Sequence, residues 1–414
     1  MFAFLFSLKG NSKACIWTEP LWGIPFNLYM PFFTIYMFSL GVLDAQIGIL
    51  ITVGRLVQMI AAIFGGVLTD KFGRRLTTFI GDFVSWGIPA LIWAFSQNFW
   101  WFLAGALING LWQITHASWE CLWIDEMTEE SKIAQFFNWL YVCGLLAVFF
   151  APISGFFVEV NGVVPVMRVL LIITFISFTA KFVILYIYST ETERGLERME
   201  ATKNSSILQL VKGYGEVFGQ IRRSRPMLRA MALQTLVAIM FMITSTFFAL
   251  YATQNLELAE SFLAYFPILR AGVMLSFFFV IQNRLNIFKP LNVMRVGITA
   301  YLAANLLLLF TPPGYWMWLA VYVIVEACAG ALLLPRIDTL AAHAIDPNER
   351  ARIRSLMNAI ILAISSPFGL LAGQLSGIDR RFPFMMNVAI FLIMVLILAV
   401  NIKPNKGDIG NVHA

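Results

Sequence analysis

His116 and Glu120 stand four residues apart, with Trp112, Trp119 and Trp123 around them. On a helix that spacing puts imidazole and carboxylate on one face, and such a couple can hold, tune and release a proton. Glu19 sits in a similar setting, sharing a helical face with Trp22, Phe26 and Tyr29, and Asn27 lies on the same segment. Arg55, Asp82 and Lys181 are also ionisable residues within apolar runs, as are Arg270 and Glu326 farther along the chain. A charge among apolar neighbours is costly unless a partner or a wet cavity offsets it. Each therefore marks either a binding site or a packing pair. For His116 the two readings are proton tuning and helix packing through a backbone carbonyl; for Glu120 they are proton carriage and an ion pair at an inner gate. Arg270 and Glu326 are expected to pair with each other, either as a strap between helices or as a couple that protonation of Glu326 releases.

The elements that position these residues are membrane spans. A chain of 414 residues that is 59% hydrophobic and 13% charged exceeds what a soluble core can bury. Apolar runs of roughly 20 residues, the length that crosses a bilayer as a helix, fall at 15–40, 44–69, 76–96, 99–125, 134–158, 165–189, 228–253, 260–283, 292–311, 315–338, 353–376 and 382–402. The expected fold is all-α, with twelve transmembrane helices in two pseudo-symmetric six-helix bundles. Residues 1–190 form the first bundle, 191–227 a cytoplasmic linker, 228–402 the second bundle and 403–414 a cytoplasmic tail. In the linker Ile207, Leu208, Val211, Tyr214 and Phe218 recur at helical spacing, an amphipathic helix expected on the inner membrane face with Lys212, Arg222 and Arg223 as anchors.

Lysine and arginine set the orientation. With both termini cytoplasmic, about 23 of the 29 basic residues fall inside and only Arg380 and Arg381 fall in outside loops. This bias accounts for the net charge of +6 without nucleic-acid binding. Lys9 and Lys13 follow the apolar start instead of preceding it, so a cleavable signal is not expected. Cys15, Cys121, Cys143 and Cys328 lack metal-ligand spacing and read as packing residues; no metal, disulfide or cofactor is expected.

The halves repeat weakly. Glu120, Glu129-Glu130-Ser131-Lys132 and Asn138 find counterparts in Asp338, Glu349-Arg350-Ala351-Arg352 and Asn358, and the following spans carry Ala151-Pro152-Ile153-Ser154-Gly155 and Ser366-Pro367-Phe368-Gly369. Between the second and third spans runs Gly66-Val67-Leu68-Thr69-Asp70-Lys71-Phe72-Gly73-Arg74-Arg75, a match to G-x-L-x-D-x-x-G-R-R; the corresponding loop at 284–291 has lost its glycine and aspartate.

On that loop motif the chain resembles the major facilitator superfamily. The resemblance implies secondary transport by rocking two bundles around a central site lined by the first, fourth, seventh and tenth spans. Gly73 permits the tight turn, Asp70 is expected to meet the N-terminus of a helix from the other bundle, and Gly66, Arg74 and Arg75 complete an inner gate whose arginines lie at the surface. A likeness to proton-linked drug exporters is weaker, since Ala106 stands where their fourth span carries arginine. Tyr29-Met30-Pro31-Phe32-Phe33 and Ser118-Trp119-Glu120-Cys121 are similar to spans of the lactose permease group, where the carboxylate matching Glu120 binds sugar; that group's partner arginine is missing.

The expected function is proton-coupled transport of a small organic solute across the cell membrane by a monomer in lipid. Glu19, Trp22, Asn27, Arg55, His116, Glu120, Arg270 and Glu326 are the substrate and proton candidates. The alternatives are a lipid or lysolipid flippase and a multidrug or metabolite exporter of the same fold. A membrane enzyme is the remotest rival, and no nucleotide-binding loop is present to support a pump.

Overall fold

The computed structural model describes residues 2–127, 129–207, 214–281, 288–343 and 350–399. The described residues hold twelve long helical segments in the order of a twelve-span bundle, ten of them long and apolar enough by length and composition to cross a membrane. The first bundle holds α1 (Gly10–Tyr29, continued by Met30–Phe32 and Phe33–Ser39), α2 (Asp44–Phe72), α3 (Arg74–Ala94), α4 (Phe99–Asn109 and Trp112–Ile124), α5 (Glu130–Val148 and Ala151–Asn161) and α6 (Val163–Tyr188). The second holds α7 (Arg225–Asn255), α8 (Glu260–Ile281), α9 (Pro290–Leu309), α10 (Trp316–His343), α11 (Arg350–Ser365 and Pro367–Ile378) and α12 (Phe382–Ala399). Helices are the only open structure that can cross lipid, because every backbone N–H and C=O is satisfied within the segment.

Several expected spans prove longer or interrupted. α2 and α3 extend to meet at Gly73, so the loop motif is itself largely helical. The single run expected over 99–125 breaks at Gly110. The runs over 134–158 and 353–376 break just before Pro152 and Pro367, whose missing N–H and ring end a helix locally. The matched prolines thus interrupt α5 and α11, the same position in each bundle. α1 tightens into a 3-10 turn at Met30–Phe32 around Pro31.

These interrupted helices form the seams between bundles. Gly48 of α2 lies so close to α11 that a Cβ there would stand 2.5 Å from the Gly369 carbonyl and 2.8 Å from Gly373 Cα. Gly155 of α5 packs against Ser261 of α8, and Tyr141 of α5 reaches Met274 of α8. Both seams start at the face opposite the linker, and the α2 seam continues past mid-depth to Ala62, which packs against Ala359 and Leu362 of α11. One apolar core crosses from Phe32, Tyr36 and Val158 to Phe247, Tyr251 and Leu263 on that opposite half. On the linker half the first bundle keeps a separate cluster around Cys15, Trp123, Phe136 and Leu185.

Between the bundles, helix Glu193–Thr202 packs on the end of α2, and helix Tyr214–Arg223 lies along α11. Phe218 is exposed, but Ile221 is buried with Met227, Ile353 and Met357, so this second helix docks its apolar side on protein. Leu208, Val211 and Lys212, named above in the amphipathic pattern, lie outside the described residues, as do Glu349 and the tail at 403–414.

Candidate functional site

An aromatic wall lines the first bundle. Trp22 stacks on Phe26 with centroids 4.7 Å apart and meets Trp86 edge-on at 5.5 Å; Trp86 continues to Trp112 at 6.1 Å, and Trp112 to His116 at 5.6 Å. His116 Nε2 stands 3.7 Å from Glu120 Oε1, a loose contact at the end of this wall. Their side chains keep 51% and 34% of their accessible surface, which leaves both free to meet a solute. Asn27 is less available, because its amide donates to Gly23 O of its own helix at 2.8 Å.

Glu19 is engaged elsewhere. Its carboxylate accepts from Lys181 Nζ of α6 at 2.6 Å, and the ammonium also lies 5.8 Å from the Trp22 ring and 5.7 Å from that of Trp119. Lys181 is the partner the sequence left unassigned, although it was visible as a cation in an apolar run. Asp82 of α3 is buried nearby, within electrostatic reach of the same ammonium.

In the second bundle Arg270 of α8 stands 2.8 Å from Glu326 of α10. The approach is off the line of the N–H bonds, since Arg270 Nε and Glu326 Oε2 are both buried without an aligned hydrogen bond. The contact is a charge pair more than a guanidinium fork. Arg270 keeps 36% of its side-chain surface and Glu326 10%, so the cation faces open space while the acid faces protein.

Polar contacts also stitch the seam of α2. At the opposite face Asp44 accepts from Ser376 Oγ at 2.6 Å and from Arg380 at 3.0 and 3.2 Å. Deeper, Thr52 donates to Ser366 O at 2.8 Å, Arg55 to Ser365 Oγ at 2.9 Å and to Ala238 O at 3.4 Å, and Ser355 to Ala62 O at 3.2 Å. Asn358 meets Gln113 at 3.3 Å. Neither Asp44 nor Arg380 stood among the sequence candidates; an isolated basic pair in the outside loops was the signal available for them.

At the linker face the loop residues take partners other than those expected. Asp70 accepts from Arg198 of the linker helix at 2.7 and 3.2 Å and stands 3.6 Å from Arg74, so its charge meets the linker where a helix of the second bundle was expected. The hydrogen bond from Arg198 raises that guanidinium's pKa further above its ordinary value. The N-terminus of α3 is instead met by Glu191, which accepts the backbone N–H groups of Arg74 and Arg75 at 3.0 Å. Gly73 makes this possible with φ +86°, a conformation that L side chains avoid. Arg74, expected at the surface, is 4% exposed and bonded to Asp125 at 3.1 Å, because a buried guanidinium needs a buried carboxylate. Arg75 lies over the Tyr186 ring at 4.0 Å and donates to Tyr186 O. Gly66 has open space on its Cβ side.

The family model for the Major Facilitator Superfamily matches residues 22–361. An uncharacterized MFS-type transporter, YqjV of Bacillus subtilis, is 27% identical over 132 residues, which is 32% of each chain. The quinolone resistance protein NorA of Staphylococcus aureus is 31% identical over 85 residues, 20% of this chain and 22% of that one. The matched region thus spans under a third of these relatives. Among solved structures, a variant of the nucleoside transporter NupG superposes with TM-score 0.72 at 14% identity, covering 94% of this chain and 99% of that one. The POT family transporter PepTSo does so with TM-score 0.71 at 13% identity, covering 94% and 97%. With its loop motif, its twelve helices in two bundles and a family match over most of its length, this chain belongs to the Major Facilitator Superfamily, the transporter family of multi-pass membrane proteins.

Proposed function

We propose that the chain is a proton-coupled secondary transporter of a small organic solute, working as a monomer in the cell membrane with its linker face toward the cytoplasm. The observation that carries this reading is the half-open, weakly paired carboxylate of Glu120 at the end of the aromatic wall. A carboxylate inside a membrane protein defaults to function, and this one keeps 34% of its side-chain surface with only His116 against it, at 3.7 Å.

The seams support alternating access. The α2 seam is tightest at the opposite face, where Gly48 meets Gly369 and Gly373 and Asp44 meets Arg380, which favours a site open toward the linker face. The alternative state would part Asp44 from Arg380 and close the linker side. Glu326 is the second proton candidate, since protonation would release Arg270 at 2.8 Å. The basic bias of the linker-side loops supports its cytoplasmic placement.

The test is reconstitution into proteoliposomes with an imposed proton gradient, using solutes chosen because they raise the melting temperature of the purified protein. Accumulation should collapse with the gradient. Glu120→Gln or Glu326→Gln should abolish uphill accumulation and leave exchange, because an amide mimics the protonated acid and cannot release a proton. If both variants accumulate solute as the parent does, neither acid carries the proton. Gradient-independent lipid movement between leaflets would favour a flippase instead.

A further inference from the structure

Arg55 sits near the middle of α2, about 16 Å along the helix from Asp44 and about 22 Å from Asp70 at 1.5 Å per residue. Its two acceptors, Ser365 Oγ and the Ala238 carbonyl, belong to α11 and α7 of the other bundle, and both are neutral. Glu19 is held by Lys181, Glu326 by Arg270 and Asp44 by Arg380, while Glu120 meets only His116, loosely, and Asp82 is buried in the first bundle. Among the described residues no carboxylate lies within ion-pair distance of Arg55. A guanidinium stays protonated in a protein and carries five N–H donors in a planar fork. Two of them are used here, on acceptors that leave the charge uncompensated, at a depth where an uncompensated charge is costly.

We infer that Arg55 is the docking group for an oxyanion, a carboxylate or phosphate on the transported solute, in the site between the bundles. This rests on the transport reading and names the solute class that reading leaves open. The fork matches the two oxygens of such a group, and the arriving anion supplies the missing charge. Its binding has a mechanical consequence. The hydrogen bonds it replaces are one of several tying α2 to α11 and the bond from Arg55 to α7, so a loaded site holds the α2 seam less tightly than an empty one. That difference in contact between states is what a solute needs to shift the populations of two conformations.

The local preference for anions can be read without transport and without knowing the solute. Ala238→Cys, in the full chain with the four native cysteines replaced by alanine, places a thiol on the residue whose carbonyl Arg55 touches. The purified protein is labelled with sulfonatoethyl and trimethylammonioethyl methanethiosulfonate, reagents of similar size and opposite charge. The expected result is labelling by the anion at least ten-fold faster, a preference erased by Arg55→Gln and partly kept by Arg55→Lys, which retains charge but not the fork. Equal rates, faster labelling by the cation, a preference that survives Arg55→Gln, or no labelling by either reagent each overturn the proposal. Proteoliposome accumulation is measured separately, so a protein that prefers anions at Ala238 yet moves nothing against a gradient would sink the transport reading and leave the anion site standing.

Discussion

The two bundles each bury an acid–base pair, and the pairs differ in how completely they are satisfied. Glu19 and Lys181 are hydrogen-bonded at 2.6 Å, and the ammonium has two tryptophan rings beside it. Arg270 and Glu326 touch at 2.8 Å without alignment, next to the buried, unpartnered hydroxyl of Tyr322. The first pair is a strap between α1 and α6. The second leaves donors and acceptors unspent, which is the condition for changing partners when a proton arrives. The acids are similarly covered, and what separates the pairs is the cation's exposure, 6% for Lys181 against 36% for Arg270, together with hydrogen-bond geometry.

Breaking the strap should have the largest effect. Lys181→Met leaves Glu19 without its cation and Asp82 without the nearby positive charge, and removal of one partner from a buried pair costs about 3–5 kcal/mol. Unfolding of the purified protein in detergent, followed by tryptophan fluorescence, measures this. The double change Glu19→Gln with Lys181→Met should recover only part of the loss, because Asp82 remains. Full recovery would show that Asp82 does not depend on this ammonium.

The second pair should respond more weakly in stability and more strongly in transport. Glu326→Gln should cost about 1–3 kcal/mol, below the strap, because Arg270 keeps 36% of its side-chain surface and is less dependent on its partner than a fully buried cation. The double change Arg270→Met with Glu326→Gln should be less damaging than the sum of its parts, the signature of residues in contact. Transport that stays normal in the stable double variant would make this pair a strap as well. Loss of the response to the proton gradient would sharpen the contrast between the bundles.

Asp44→Asn should cost about 1–2 kcal/mol by weakening hydrogen bonds to a charged partner. The informative readout is access: in a background lacking native cysteines, a thiol introduced by Thr52→Cys should label faster from the opposite face once Asp44 is neutral. Unchanged labelling would mean that the close approach of Gly48 to Gly373 holds the seam by itself. The smallest effect belongs to Arg198→Ala. Its bond to Asp70 is solvent-exposed, so the loss should stay below about 1 kcal/mol and shrink with added salt. A larger loss would mean that the linker braces the end of α2.

Much of this was legible beforehand, for a physical reason. A membrane helix advertises itself by length and hydropathy, which is why α2, α6 and α12 were found from composition alone. Charges in apolar runs advertise themselves in the same way, so Glu19, Arg55, Asp82, Lys181, Arg270 and Glu326 all stood out, and the Arg270 and Glu326 contact was inferable because two opposite charges of one bundle had few other partners. The breaks in α4, α5 and α11 were harder to read, since glycine and proline are common in membrane helices and only packing decides whether they interrupt one.

By itself, then, the sequence determined the membrane class, the count of spans, the two halves and the short roll of costly charges, because all of these follow from transfer of side chains between water and lipid. Tertiary structure alone decided the pairing. Lysine 181 sits far from Glu19 in the chain, and nothing in either segment says which face of α6 meets α1. Asp70 turned to Arg198 and left the helix N-terminus to Glu191, a choice made by the path of the linker. Arg55 was left with neutral acceptors because α11 and α7, neither carrying an acid at that depth, are the helices packed against it. Lipid and protein are equally apolar to a leucine, so hydropathy places helices in the bilayer without saying which neighbours they choose.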